Sequence, residues 1–554
     1  MAPPGSLLAC CLLALTSRPL VARTTSGRPH IVFIVADDLG WNDVSFHGAD
    51  QIPTPNMDAL AFNGVILNSH YAQPSCTPSR AALMTGRYPI RLGMQGLPLL
   101  AAEPRGLPEG QILPGYLQEL GYSTHAVGKW HLGFYKKSLT PTQRGFHSHF
   151  GYWAGFVSYY DYILQDTYPD GPYSGFDLRR NYSLAWDRVG RYATDVFTEE
   201  AEAVIGAHDP STPLFLYLAH LAVHAGNRGK FLEAPQEAVD AFRHIADPNR
   251  RTYAAMVSKL DESVGRVVAA LQSRRMLEDS IIVLLSDNGA PTIGTYPTWG
   301  SNFPLRGLKE TLWEGGVRVP ALVWSPLLYQ TPRVSSQLMH ISDWLPTLLA
   351  AAGGPPPPAD IDGVNQWDAL VYNLPSRRNS VLVNIDERER TAAFRFGNYK
   401  MVVGSARNGE YDGYFGASGR DSASPPYNAS AVVQSSAGQA IDELFKTLYR
   451  AAASPSEISF LRSAASLQCR PSGAGVPCRP AQTRESCLYD VELDPCETNN
   501  LAPEQPATVR ALRHFMIQHR KHLVPQANLP PDSSAADPAK FGNVWTSWGD
   551  AEPV

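Results

Sequence analysis

Residues 30–40, HIVFIVADDLG, pass through six consecutive apolar positions and then close on two aspartates and a glycine. A strand without polar alternation cannot keep one face in water, so this run reads as a strand buried on both faces that ends in a loop. IIVLLSDNGA at 281–290 repeats the design, and PLFLYLAHLAVH at 213–224 is a third apolar run with polar residues at its far end. Amphipathic stretches lie between these runs: MDALAFNGV, ILPGYLQELGY, DVFTEEAEAVIGA and YAAMVSKLDESVGRVVAALQSR. Buried strands alternating with helices predict an α/β fold with a large mixed, mostly parallel sheet. Ligands of such sheets collect beyond the C-terminal strand ends, where Asp37, Asp38, Asp287 and His224 fall.

The texture changes after GGPPPPADIDG at 353–363. SVLVNID, TAAFRFGNYKMVVG and CLYDVELDP read as short strands with turn signals, followed by the helical ATVRALRHFMIQHRKHL. The expected division is a signal segment over 1–22, a large α/β domain over 23–375, and a smaller C-terminal α+β domain over 376–554 with an antiparallel sheet. The Ser-, Gly- and Ala-rich stretch from about 404 to 480 reads as an insertion or long loop with some helix near 439–452. With 44% hydrophobic and 18% charged residues the chain can bury a large core, and a net charge of −5 argues against nucleic acid or anionic membrane as partners.

The first residues hold an apolar run from Leu7 to Leu15 followed by small residues near Ala22, the layout of a cleaved secretory signal, though no Lys or Arg precedes the run. The run is about half the length of a membrane span, so no stable membrane anchor is expected. Entry to the secretory pathway, ending in the lysosome or outside the cell, fits the Asn-X-Ser triplets at Asn181 and Asn428, which predict exposed glycosylated loops. Removing Cys10 and Cys11 with the signal leaves five cysteines. Cys469, Cys478, Cys487 and Cys496 lie within 28 residues and predict two disulfides with three possible pairings; a zinc site is disfavoured because no CxxC pair occurs. Cys76, in QPSCTPSRAALMTGR, is left over.

Two acidic strand ends form an oxygen-rich cluster that suits calcium or magnesium better than zinc, although Asp-Asn and Asp-Gly after strands are also ordinary turn chemistry. A second group is cationic: Arg80, Lys129 and His131 in GKWHLG, His224, and Lys309 in PLRGLKETLWEGGVR. Each alone reads as a solvated charge or a hydrogen-bonded histidine. Together they suit a site for a tetrahedral oxyanion, and with a divalent cation the converged charges would sum to about +2. His220 reads as structural.

CTPSRAALMTGR closely resembles the sulfatase signature, in which the cysteine of C-X-P-S-R becomes Cα-formylglycine during secretion. ADDLGWNDVSFHG, GYSTHAVGKWHLG, LAVH, SDNGA, LRGLKETLWEGGVRVPALVWSP, HISDWLPTLLAAAGG and CLYDVELDPCETNNLA follow in family order. The resemblance implies an alkaline-phosphatase-like α/β fold, one calcium ion, a sulfated carbohydrate substrate, and formylglycine-generating enzyme as a partner. It implies that one hydroxyl of the hydrated aldehyde at Cys76 attacks sulfur and displaces the alcohol, and that the second expels sulfate from the transient sulfo-enzyme. It further implies Asp37, Asp38, Asp287, Asn288 and modified Cys76 as metal ligands, and Arg80 on the hydrate. His131 would act as the base of the elimination, Lys129 and Lys309 would bind sulfate oxygens, and His224 with Lys309 would serve the leaving oxygen. GKWHLGFY, LRGLKETLWEGGVR and FGNVWTSWGD resemble the arylsulfatase B branch, which removes the 4-sulfate of N-acetylgalactosamine in glycosaminoglycans. A phosphatase or phosphodiesterase on the same fold, and a secreted binding protein without turnover, are the alternatives.

Overall fold

The structure, a computed structural model, describes residues 27–469, 475–483 and 485–550; the expected signal segment lies outside them. Five contiguous strands run parallel at the centre of a ten-stranded sheet, in the spatial order Ser280–Ser286, His30–Ala36, Leu214–Ala219, Ser123–Lys129 and Ser148–Tyr152. Ala321–Trp324 pairs antiparallel with Ser280–Ser286 on one side, and Arg179–Arg180 antiparallel with Ser148–Tyr152 on the other. Every residue of the three apolar runs within these strands is buried, as strands covered on both faces require. The covering helices include Ala193–Ala207 and the 26-residue Pro248–Ser273, whose N-cap Asp247 accepts from the backbone of Asn249 and Arg250. Among the described residues no helix is long and apolar enough to cross a membrane.

Strand register decides where the chemistry collects. Ala36 sits beside Ser286, Val35 beside Ala219, and Ala219 beside Gly128, so the central strands end at one level. The next residues along the chain, Asp37, Asp287, His220 and Lys129, therefore emerge together at one edge of the sheet.

A four-stranded antiparallel sheet follows: Ser380–Asp386, Thr391–Phe396, Tyr399–Val403 and Ser486–Asp490. TAAFRFGNYKMVVG is a hairpin turning at Gly397–Asn398, with Gly397 at a φ of 54° that costs glycine little. Period-two alternation sends Val381, Val383 and Val402 towards Tyr71 and Trp313 of the large unit. Leu382, Phe394 and Met401 pack in the other direction, with Leu512 of helix Pro506–Arg520.

The stretch expected as a long loop is more ordered than its composition suggests. It builds three helices, Ala429–Gln434, Ser436–Thr447 and Pro455–Ala465. Ala437, Ile441, Leu444 and Phe445 form one buried face at helical spacing, and Ser454 and Glu457 form a reciprocal capping box. The small residues between these anchors obscured the period. Helix Ser436–Thr447 packs on Pro248–Ser273, so this insertion braces the large sheet's helical layer. The cysteines pair as Cys469–Cys496 and Cys478–Cys487, a nested arrangement that is one of the three open pairings.

Candidate active site

Cys76 is the first residue of helix Cys76–Thr85, all ten residues of which are buried. Pro78 is tolerated there because first-turn backbone donors have no partner within the helix, and those free donors with the helix dipole favour an anion near Cys76. One turn on, Arg80 shares the face of Cys76. Gly86 ends the helix in the left-handed region at φ 67°, its amide donating to Ala82 O at 2.9 Å, which gives the T-G-R segment a structural reason.

Arg80 donates from Nε and Nη2 to Asp287 Oδ2 at 3.1 and 2.8 Å, and its Nη1 reaches Tyr217 OH at 3.3 Å. Lys129 Nζ donates to Asp37 Oδ2 at 2.5 Å. Lys309 Nζ bridges Asp38 Oδ1 at 2.6 Å and Cys76 Sγ at 3.3 Å. Asn288 Nδ2 also donates to Asp38 Oδ1, at 2.6 Å. Asp38 holds this position with a φ of 63°, an unusual conformation for a residue other than glycine. Ligand atoms of Asp37, Asp38, Cys76 and His224 all lie within 4.8 Å of one another and form a group able to hold a metal ion. Asp37 Oδ1, Asp38 Oδ2 and Asn288 Oδ1 are buried without a hydrogen-bond donor, as oxygen ligands awaiting a cation would be.

Both histidines have defined tautomers because each bonds a backbone carbonyl, which can only accept. His224 Nδ1 donates to Ala225 O at 2.6 Å, leaving the Nε2 lone pair 3.5 Å from Asp38 Oδ2. His131 Nε2 donates to Leu99 O at 2.9 Å, leaving Nδ1 without a partner. Burial pushes both imidazoles below the usual histidine range; Lys129 and Arg80 add to the shift at His131, whereas Asp38 opposes it at His224. Burial also pushes the Cys76 thiol up to about 12, against the pull of Lys129 and Lys309. A thiol so protonated is a poor nucleophile. His220 instead meets Ser263 Oγ on the long helix at 3.0 Å.

Cys76, His131, His224 and Lys309 line a cavity of about 430 Å³, while Asp37, Asp38, Arg80, Lys129, Asp287 and Asn288 are buried next to it. A larger hollow of about 1310 Å³ borders Cys469 and Cys478, and none of the ten sequence-predicted residues lines it. The smaller cavity is thus the one that meets the charged cluster.

Several contributors carried little sequence signal. Tyr217 supports Arg80 from within an otherwise apolar strand; a buried tyrosine hydroxyl needs a partner, which was the available clue. Ser79 Oγ donates to Asp287 O, tying the cysteine helix to a strand end. Phe156 stacks on His224 with ring centroids 5.4 Å apart. Gly155 leaves room for His131, since a Cβ there would lie 2.9 Å from Nε2.

The comparisons agree with this geometry. The Sulfatase family model matches residues 29–354. Arylsulfatase J of Mus musculus is 36% identical over 541 residues, covering 96% of this chain and 82% of that protein. N-acetylgalactosamine-6-sulfatase of Homo sapiens is 34% identical over 364 residues, covering 61% of this chain and 65% of that protein. The solved structure of Ps i-CgsB in complex with k-i-k-neocarrahexaose is similar with a TM-score of 0.68 and 25% identity, covering 92% of this chain and 97% of that chain. The mixed sheet with its helical layers and the separate small antiparallel sheet is the alkaline-phosphatase-like fold. With the family model spanning most of the large sheet and the cysteine helix, the chain belongs to the sulfatase family and is a sulfuric ester hydrolase.

Proposed function

We propose that the chain hydrolyses the 4-sulfate ester of N-acetylgalactosamine, as found in glycosaminoglycans, using formylglycine made from Cys76. The observation that carries the reading is the convergence of Cys76 with Asp37, Asp38 and Lys309 at the wall of one cavity. Resemblance to the arylsulfatase B phrases supports the 4-position, and the relative named N-acetylgalactosamine-6-sulfatase supports the amino sugar. The family match and the complete charged set favour turnover of sulfate over a phosphatase or a binding shell.

The residues fit a hard cation. Three orphaned buried oxygens and an oxygen-rich donor set suit calcium, which Asp37, Asp38, Asp287, Asn288 and the modified Cys76 would hold. Bound there, calcium would supply positive charge beside the reacting oxygens. Formylglycine would supply two hydroxyls on one carbon, in place of a single thiol. His224 is assigned to the leaving oxygen: its Nε2 lone pair is free to carry a proton, and nitrogen suits calcium poorly. Lys309, in contact with Cys76 Sγ, would use its charge to stabilise oxygen anions, and Lys129 would add a second ammonium for the sulfate. Arg80, fixed by Asp287, orients the hydrate. His131, whose Nδ1 has no partner and which lines the same cavity as Cys76, would accept its proton.

Secretory passage, to the lysosome or outside the cell, accounts for the paired cysteines and would expose the protein to formylglycine-generating enzyme. Asn428 is exposed and caps its helix, and Asn181 is partly exposed, so both suit glycan acceptors. The test is mass spectrometry of the Cys76 peptide from a secretory host, paired with assays on 4- and 6-sulfated galactosamine disaccharides. The aldehyde and release of the 4-sulfate are expected. Full activity with an intact thiol, or turnover confined to the 6-sulfate, overturns the corresponding part.

A further inference from the structure

Lys309, the lysine that reaches both Asp38 and Cys76, has no regular element beneath it. Residues 307–313 contain only turns, bends and irregular backbone, so neither a helix nor a strand ladder fixes the direction of this side chain. The backbone just past it is strained: Glu310 has a φ of 75°, in the left-handed region that favours glycine. A larger residue stays in that region only where its surroundings over-determine it. One of those constraints is the Glu310 amide, which donates to Pro74 O at 2.7 Å, two residues before Cys76.

Arg306 supplies the constraint on the other side of the turn. It is buried, and its guanidinium donates from Nε to Asp412 O at 2.7 Å, from Nη1 to Tyr489 OH at 3.1 Å and Glu497 O at 3.5 Å, and from Nη2 to Cys478 O at 3.0 Å. Its Cζ also lies 3.7 Å from the centre of the Trp313 ring. Each of these acceptors is a carbonyl or hydroxyl oxygen, and they come from stretches of chain far apart in sequence. What the side chain contributes is therefore shape, a planar fork that holds several acceptors at once, which an ammonium cannot copy. Main-chain bonds close the same frame, with Gly307 N donating to Gly413 O at 2.7 Å and Gly315 N to Arg306 O at 2.6 Å. The turn that carries Lys309 is thus clamped between the loop before Cys76 and the C-terminal third of the chain.

We propose that Arg306 is a positioning residue for Lys309: its guanidinium fixes the root of the turn, so that the ammonium stands against Asp38 and Cys76. The inference rests on the role given above to Lys309 at the leaving oxygen, and adds to it a residue outside the lining of the Cys76 cavity. Arg306 acts only through the placement of that ammonium. A misplacement of about 1 Å at a group that stabilises developing charge costs roughly 100-fold in rate, so a residue three positions away can govern the step without touching the substrate.

The experiment compares phenyl sulfate with 4-nitrophenyl sulfate on the full-length enzyme carrying formylglycine. Phenolate is the poorer leaving group, so its ester depends more on a cation at the leaving oxygen. Lys309→Ala sets the reference and should cost more with phenyl sulfate than with the nitro ester. Arg306→Lys should repeat that ordering, lowering kcat/KM roughly 100-fold for phenyl sulfate and roughly 10-fold for 4-nitrophenyl sulfate. Loss of folded enzyme alone would scale both by one factor. In the Lys309→Ala background, Arg306→Lys should cost less than about 2-fold further, because both changes remove the same interaction. Tyr489→Phe takes away one hydroxyl acceptor of the fork and keeps the ring; it serves if Arg306→Lys does not fold, and should show the same ordering with a loss of roughly 3-fold for phenyl sulfate. Equal losses for the two esters in the folded variant, or an undiminished loss in the Lys309→Ala background, overturn the positioning role. No difference between the esters in Lys309→Ala itself overturns the reading of Lys309 and this inference with it.

Discussion

Lys129 Nζ lies 2.5 Å from Asp37 Oδ2, and both side chains are sealed from solvent. The pair exists because two parallel strands, separated by the Leu214–Ala219 strand, end at the same level, so the first residue past one meets the last residue of the other. Breaking such a pair from one side strands a buried charge. Lys129→Ala should therefore lower kcat/KM for an aryl sulfate by roughly 100- to 1000-fold and destabilise the fold by about 3 kcal/mol. Adding Asp37→Asn should recover much of the stability, read by urea unfolding, but none of the activity. Recovery of neither would mean that the ion pair is not what the mutation disrupts.

Arg80 makes a different demand on its partner. Two of its nitrogens converge on Asp287 Oδ2 while a third reaches Tyr217, a planar fork that an ammonium cannot copy. Arg80→Lys should cost roughly 100-fold or more in kcat/KM despite keeping the charge. Arg91→Lys, altering a partly exposed pair with Asp362, should shift stability by less than about 1 kcal/mol and leave kinetics unchanged. Near-normal activity of Arg80→Lys would remove the orienting role assigned to the guanidinium.

The strands that build the site were readable because they are apolar at every position, a pattern that half-buried strands and surface helices do not produce. Their acidic ends located Asp37, Asp38, Asp287 and Asn288 for the same reason: the run stops where the sheet stops. The walls of the cavity were not readable. Leu99 O, Phe156 and Tyr296 come from irregular segments whose meeting depends on how the chain returns, and no local period records that. The cysteine pairing was likewise undetermined, since four thiols within a short span satisfy any of three arrangements until the backbone chooses. The C-terminal tail is a further case: Trp545 is buried against the large unit, with Nε1 donating to Leu164 O at 3.2 Å, although its sequence surroundings are polar and rich in turn residues.

A buried network joins the small sheet to the segment that follows Lys309. Lys400, fully buried, lies 2.9 Å from Glu314 Oε1 and 2.9 Å from Glu497 Oε1, and Tyr71 OH donates to Glu314 Oε2 at 2.6 Å. Lys400→Met keeps most of the side-chain volume and leaves two carboxylates without their shared cation. It should destabilise by about 3–5 kcal/mol in urea unfolding. Lys400→Met/Glu497→Gln should be less destabilised than the single variant. A loss below about 1 kcal/mol in the single variant would show that Arg318 suffices to balance the cluster.

Asp261, on the long helix, gives the stability a pH dependence away from the charged cluster at Cys76. Its carboxylate accepts from Met57 N at 2.8 Å and from Asn56 Nδ2 at 2.9 Å, anchoring the start of helix Pro55–Ala61. Burial nevertheless pushes its pKa up, from an ordinary 3.8 to about 7. The folded state then binds more protons than the unfolded chain between about pH 4 and pH 7, so this group's contribution is full below about pH 4 and is lost as pH rises through about 7. Asp261→Asn removes the titration while changing volume little. Comparing wild type with the variant cancels the other carboxylates. The wild-type advantage in melting temperature should be larger at pH 5 than at pH 8 and flat above about pH 8. An advantage that instead grows with pH would mean that the hydrogen bonds from Asn56 and Met57 outweigh burial and hold the carboxylate ionised.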